Sequence, residues 1–113
     1  MLYELRTYDV MPGKSKALVD RFAEVALFHF KKHGLKPVLF LDPVIGTGGQ
    51  LIDLLEWESL EARDKGWAAM QKDVEWAAAR SESEKDGPLV ARMTSSLLRD
   101  VPSITARARE LWG

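Results

Sequence analysis

Cysteine is absent from this chain of 113 residues. That excludes disulfides, thiolate metal sites and a cysteine nucleophile, and it suits a cytoplasmic protein. Histidine is scarce, with only His29 and His33, so acid–base chemistry has few obvious carriers. No apolar run approaches the length needed to span a bilayer. No secretory signal is visible, because Met1 leads almost directly into Glu4 and Arg6. Neither sign of charge dominates: the net charge is -1 and acids and bases are mixed along the chain, which leaves no footprint for nucleic acid or an anionic membrane. Low-complexity segments and internal linkers are missing as well. What remains is an ordinary globular composition, 46% hydrophobic and 29% charged, and a length that fits one domain over residues 1–113.

The hydrophobic pattern divides that domain into elements. Residues 2–9 alternate as a strand, Pro12-Gly13-Lys14 is a turn, and residues 14–33 read as one amphipathic helix. Its apolar stripe is wide, with Leu18, Phe22 and Val25 in one row and Val19, Ala23, Ala26 and Phe30 in the next. Gly34 stops the helix after a basic last turn. Residues 37–41 form a short strand, and Gly46, Gly48 and Gly49 mark the loop before a third strand over 50–57. That loop lies between two strands and lacks a Gly-Lys-Ser/Thr ending, so it is a hairpin rather than a phosphate loop. Ser59 caps a helix that runs to about Gln71. A second helical piece spans 73–82, a polar loop follows to Gly87, a last strand occupies 92–99, and a short helix closes the chain near Trp112.

The order βαββαβ repeats a split β-α-β unit and predicts an α+β, ferredoxin-like fold with a four-stranded antiparallel sheet and an extra C-terminal helix. Two helices cover one face of such a sheet and leave the other open. The middle strands are apolar at both parities, with Val38 to Leu41 in one and Leu51, Ile52, Leu54 and Leu55 in the other. Strands buried on both faces have that composition. A homodimer packed sheet against sheet, closing a shared barrel, is the expected assembly.

Tyr3-Glu4-Leu5-Arg6-Thr7-Tyr8 followed by Met11-Pro12-Gly13-Lys14 resembles the opening motif of the NIPSNAP family, in which an aromatic-Glu-Leu-Arg-x-Tyr strand runs into Pro-Gly-Lys. Leu55 to Arg63 resembles the family's central strand-to-helix motif, Asp73-Val74-Glu75-Trp76 its Asp-x-x-Trp, and Met93 to Arg99 its closing strand. The chain departs from the pattern where members often carry Trp and Tyr, holding Leu55 and Trp57 instead. The resemblance covers nearly the whole chain and implies the dimeric α/β-barrel superfamily. Eukaryotic relatives are linked to vesicle and mitochondrial roles, and sister families include cofactor-independent monooxygenases, isomerases and haem enzymes.

Glu4 and Arg6 are the most conspicuous candidates. Two residues apart, they share a face of the first strand, and a buried charge needs a partner. Arg6 has Glu4, Glu56 and Asp53 within topological reach. One reading makes the pair an ion pair that fixes the dimer register. The other makes Arg6 the holder of a carboxylate or enolate in a pocket, because a guanidinium fits planar anions. Tyr8 shares that face and has a hydroxyl to offer. His29 and His33 stand at i, i+4, a spacing that metal sites use, but nothing between them supplies a third ligand, and no metal or cofactor is expected. Trp76 belongs to the family-like Asp-x-x-Trp, while Trp57, Trp67 and Trp112 suit core packing. Glu82, Glu84, Lys85 and Asp86 read as a solvated loop.

Three functions fit. The first is binding of a small, partly apolar ligand between sheet and helices of the dimer, with Glu4, Arg6, Tyr8, His29, Glu56 and Trp76 as ligand-binding candidates. The second is a cofactor-independent monooxygenase or isomerase with His29 as base and Arg6 and Tyr8 as stabilisers. The third is a non-catalytic protein-interaction module.

Overall fold

Strand β1 (Leu2–Val10) runs through the middle of a four-stranded antiparallel sheet of order β2-β3-β1-β4. The computed structural model describes every residue, Met1–Gly113. After β1 come α1 (Ser15–Arg21), a π-helical segment (Phe22–Ala26) and α2 (Leu27–Lys32), which are continuous with one another. Strands β2 (Lys36–Leu41) and β3 (Gln50–Trp57) form a hairpin. Helices α3 (Leu60–Lys72) and α4 (Val74–Ser83) lead to β4 (Val90–Arg99), and α5 (Pro102–Trp112) ends the chain. This is the ferredoxin-like α+β arrangement, with the second helix of the repeat broken into two pieces.

The helix expected over 14–33 is one rod with a wider turn in its middle. Its buried residues are Leu18, Phe22, Ala26, His29 and Phe30. Leu18, Phe22, Ala26 and Phe30 recur every four residues, whereas a straight α-helix would rotate such a row by about 40° per turn. The π segment absorbs that drift and keeps the row on the sheet. The two rows read from the sequence thus merge: Ala26 and Phe30 join Leu18 and Phe22, while Val19 is half exposed.

Ser59 does cap α3, accepting a hydrogen bond from Ala62 N at 3.0 Å. Asp73 separates α3 from α4 and caps the latter through Glu75 N and Trp76 N. Gly66 lets α3 sit directly on β3, since a Cβ there would lie 3.0 Å from the Trp57 ring.

Parity settles which face is covered. Glu4, Tyr8, Leu51, Asp53, Leu55 and Trp57 are all buried beneath the helices. The opposite face carries Leu39, Leu41 and Leu98, which are 42%, 48% and 47% exposed. Helix α5 buries none of its residues, so Trp112, 84% exposed, is not core.

Candidate functional site

The Glu4–Arg6 face is the helix-covered one, so this pair does not fix a sheet-to-sheet register. Nor do the two residues pair with each other. The Glu4 carboxylate accepts five hydrogen bonds: from Trp57 Nε1 at 3.1 Å, Trp67 Nε1 at 2.9 Å, Arg63 Nε and Nη2 at 3.2 Å each, and Ser95 Oγ at 2.6 Å. Burial alone would raise its pKa, but the hydrogen bonds from Arg63, Ser95 and Trp67 outweigh burial and hold it at about 2. Glu4 thus ties β1 to β3, α3 and β4 at one point.

Arg6, one step along the same face, stacks its guanidinium over the Trp67 ring at 4.0 Å and lies 5.2 Å from the Tyr8 ring centre. Its buried Nε has no hydrogen-bond partner. Asp53 stands opposite Arg6 in the β1–β3 register and takes its hydrogen bond from the Tyr8 hydroxyl instead, at 3.0 Å. Burial pushes the Asp53 carboxyl up to about 6, against the pull of the Arg6 charge and the Tyr8 hydrogen bond. Burial also raises the Tyr8 phenol. Of the Asp53 oxygens, Oδ1 is buried and unpartnered.

Arg6 and Tyr8 form the floor of a cavity of about 400 Å3 between β1, β4 and the helices. Phe22, Ala26 and Phe30 wall it from the first helical rod, two of them from the π segment, and Trp67, Met70 and Trp76 wall it from α3 and α4. Arg21, Arg80, Arg92 and Glu84 stand at its polar side. Arg21 and Arg80 reach Glu84 at 3.4 and 3.9 Å, and Arg92 reaches Asp9 at 3.2 Å. Glu84 is therefore a half-buried anchor rather than part of a freely solvated loop.

The sequence-derived candidates divide accordingly. Arg6, Tyr8 and Trp76 line one cavity. Glu4 sits behind it, fully bonded. Glu56 lies on the opposite sheet face, where it pairs with Lys36 at 2.6 Å. His29 does not line the cavity: it is buried between Phe28 and Trp76, its Nδ1 3.4 Å from Asp73 Oδ2. His33 Nε2 and Lys32 Nζ reach that same oxygen at 2.6 and 3.0 Å, and the hydrogen bonds from His33 and Lys32 hold the Asp73 carboxyl well below the usual range. The i, i+4 histidines share a helix cap. Trp67 as a cavity wall and the cavity arginines Arg21, Arg80 and Arg92 emerge only from the structure, as does the Tyr8–Asp53 hydrogen bond. Asp53 left one trace in the sequence, as a lone charge inside an apolar strand.

The sequence model of the NIPSNAP family matches residues 3–104. This chain belongs to the NIPSNAP family. Among solved structures, a NIPSNAP-like domain protein of Burkholderia xenovorans is 22% identical, with 88% of this chain and 84% of that one covered, at a TM-score of 0.79. A NIPSNAP family protein of unknown function from Agrobacterium tumefaciens is 21% identical over 88% and 87% of the two chains, at 0.78. The fold extends to SnoaB, a cofactor-independent oxygenase of Streptomyces nogalater, at 12% identity, coverage of 88% and 92%, and a TM-score of 0.59. No curated protein matches the chain. At these identities the structural neighbours of this NIPSNAP protein establish its fold and nothing about its chemistry.

Proposed function

We propose that this NIPSNAP protein is a homodimer that binds a small, partly apolar ligand in the cavity between its sheet and helices. The observation that carries the reading is the cavity itself. It holds about 400 Å3, has aromatic walls, and places Arg6 and Tyr8 on its floor. Ligand sites combine mostly apolar walls with a few oriented polar groups in this way. Arg6, Tyr8 and Trp76 are the binding residues, with Trp67 beneath Arg6. The dimer is supported by the half-exposed leucines of the open sheet face, which a second copy of the chain would cover in an isologous two-fold contact. No helix is long and apolar enough to cross a membrane.

Native mass spectrometry on protein isolated gently from its own cells tests both parts. The expected result is a dimer that carries a discrete extra mass released on denaturation. A monomer overturns the assembly, and a dimer that stays empty after exposure to small-molecule extracts overturns the binding reading.

A second reading, cofactor-independent proton transfer, has the Tyr8–Asp53 hydrogen bond in its favour. That carboxyl, pushed up to about 6, suits acid–base work near neutrality and touches the cavity through the Tyr8 hydroxyl, although neither Asp53 nor His29 lines it directly.

A further inference from the structure

Four arginines face the cavity. Arg21 hydrogen-bonds Glu84, Arg92 hydrogen-bonds Asp9, and the largely exposed Arg80 lies 3.9 Å from the Glu84 carboxylate that Arg21 already uses. Arg6 differs from all three. It pairs with no carboxylate, its Nε is buried without a partner, and its guanidinium carbon sits over the Trp67 ring, 4.0 Å from the ring centre. A guanidinium held in that way has lost much of its hydration and presents a rigid fork of donors. Its Trp67 support is itself immobilised, because the indole N–H is bound to Glu4 at 2.9 Å. Beside it, Tyr8 already donates its hydroxyl proton to Asp53, so the phenolic oxygen has only acceptor capacity left for anything in the cavity.

We propose that the ligand of this cavity is a flat organic monoanion whose carboxylate seats on Arg6, with its ring system between Phe22, Phe30 and Trp76 and any ligand hydroxyl donating to Tyr8. The proposal rests on the binding reading above and narrows its ligand class. The match is between a planar fork and a planar carboxylate, which two parallel N–H donors bind side by side. A phosphate ester fits less well. Its extra charge would call for more donors, and Arg21 and Arg92 already donate to Glu84 and Asp9.

Isothermal titration with 2-naphthoate and its neutral isostere 2-naphthamide tests this. The expected result is at least tenfold tighter binding of the carboxylate to the wild-type dimer, with that advantage lost in Arg6→Gln. Equal binding of the two probes overturns the anion site but leaves the cavity reading standing. Failure of both probes to bind up to millimolar concentration overturns the cavity reading itself. Retention of the carboxylate advantage in Arg6→Gln places the anion elsewhere and overturns the assignment. Displacement of naphthoate by inorganic phosphate at equal concentration overturns the preference for a carboxylate. Should Arg6→Gln not fold, Arg6→Lys keeps the charge and removes the fork. A tenfold loss with lysine supports the proposal, and an unchanged affinity overturns it.

Discussion

Glu4 and Arg6 stand two residues apart on one strand, face the same way and carry opposite charges, yet their surroundings differ. Around Glu4, four side chains from β3, α3 and β4 converge to supply five hydrogen bonds. Around Arg6 the chain supplies an aromatic plane, an open volume and no direct ion pair, with Asp53 felt only through its charge. A buried charge whose partners all come from its own fold is part of the frame. A charge of the same strand left unmatched beside a cavity is where the frame meets something else. Trp67 joins the two regions, giving its N–H to Glu4 and its ring face to Arg6.

The contrast breaks first at Glu4. Glu4→Gln keeps the shape but removes the charge and turns part of an acceptor into a donor among donors. A stability loss of roughly 3–5 kcal/mol is expected, read by urea unfolding at pH 7. The pH dependence has a definite sign. The folded pKa is about 2 against an ordinary 4.5, so the contribution is fully present above 4.5 and fades as pH falls toward 2. The variant should lack that acid-side loss.

Asp53 behaves in the opposite way and sharpens the comparison. Burial raises its folded pKa to about 6 from 3.8, so the folded state binds the proton more tightly than the unfolded chain does. Stability from this group is complete below 3.8 and is lost as pH rises through 6. Asp53→Asn should therefore stabilise the protein by up to about 3 kcal/mol at pH 7–8 and by almost nothing below pH 4. Equal melting temperatures for variant and wild type at pH 8 would remove the claim that this end of the face is held under strain.

Ser95→Ala takes a single neutral donor from Glu4 and leaves four hydrogen bonds in place. The expected cost is about 1–2 kcal/mol, with the fold intact by circular dichroism. A cost as large as that of Glu4→Gln would mean that β4, rather than α3, supplies the essential half of the knot.

Much of the frame was legible in the sequence. Strand alternation, the Ser59 cap, the Gly34 stop and the βαββαβ order follow from local chemistry that the folded chain keeps. The site was legible only as a face: Glu4, Arg6 and Tyr8 share parity. Which sheet face they take could not be read, because the middle strands are apolar at both parities. His29 is buried but lies outside the cavity for a different reason: the π segment at Phe22–Ala26 aligns Ala26 and Phe30 with Leu18 and Phe22, and His29 packs instead between Phe28 and Trp76 beside Asp73. Glu84 looked like loop charge because the partner that hydrogen-bonds it, Arg21, lies 63 residues away on another helix. A long-range pairing of that kind leaves no spacing to detect, whereas the weaker i, i+4 approach of Arg80 does.

The smallest expected effect is the one that decides the contrast. Arg6→Gln removes a full charge from beneath the helices, and an arginine of the frame would cost several kcal/mol. Here no ion pair is broken and no hydrogen bond is lost, so at pH 5, where folded Asp53 is mostly protonated, the cost reduces to the stacking on Trp67, about 1 kcal/mol or less by urea unfolding, and the loss of the Arg6 charge beside Asp53 adds to it only at higher pH. A second readout separates this from a merely tolerant site. The Arg6 charge is what restrains the Asp53 carboxyl at about 6 against its burial, so in Arg6→Gln the Asp53 midpoint should climb further, as followed by carbon-detected NMR of the carboxyl group. A near-neutral stability change with a raised Asp53 midpoint would show Arg6 to be electrically coupled to its neighbours yet mechanically idle, the state of a group that awaits a ligand. A loss as large as that of Glu4→Gln would show instead that the two charges belong to one frame.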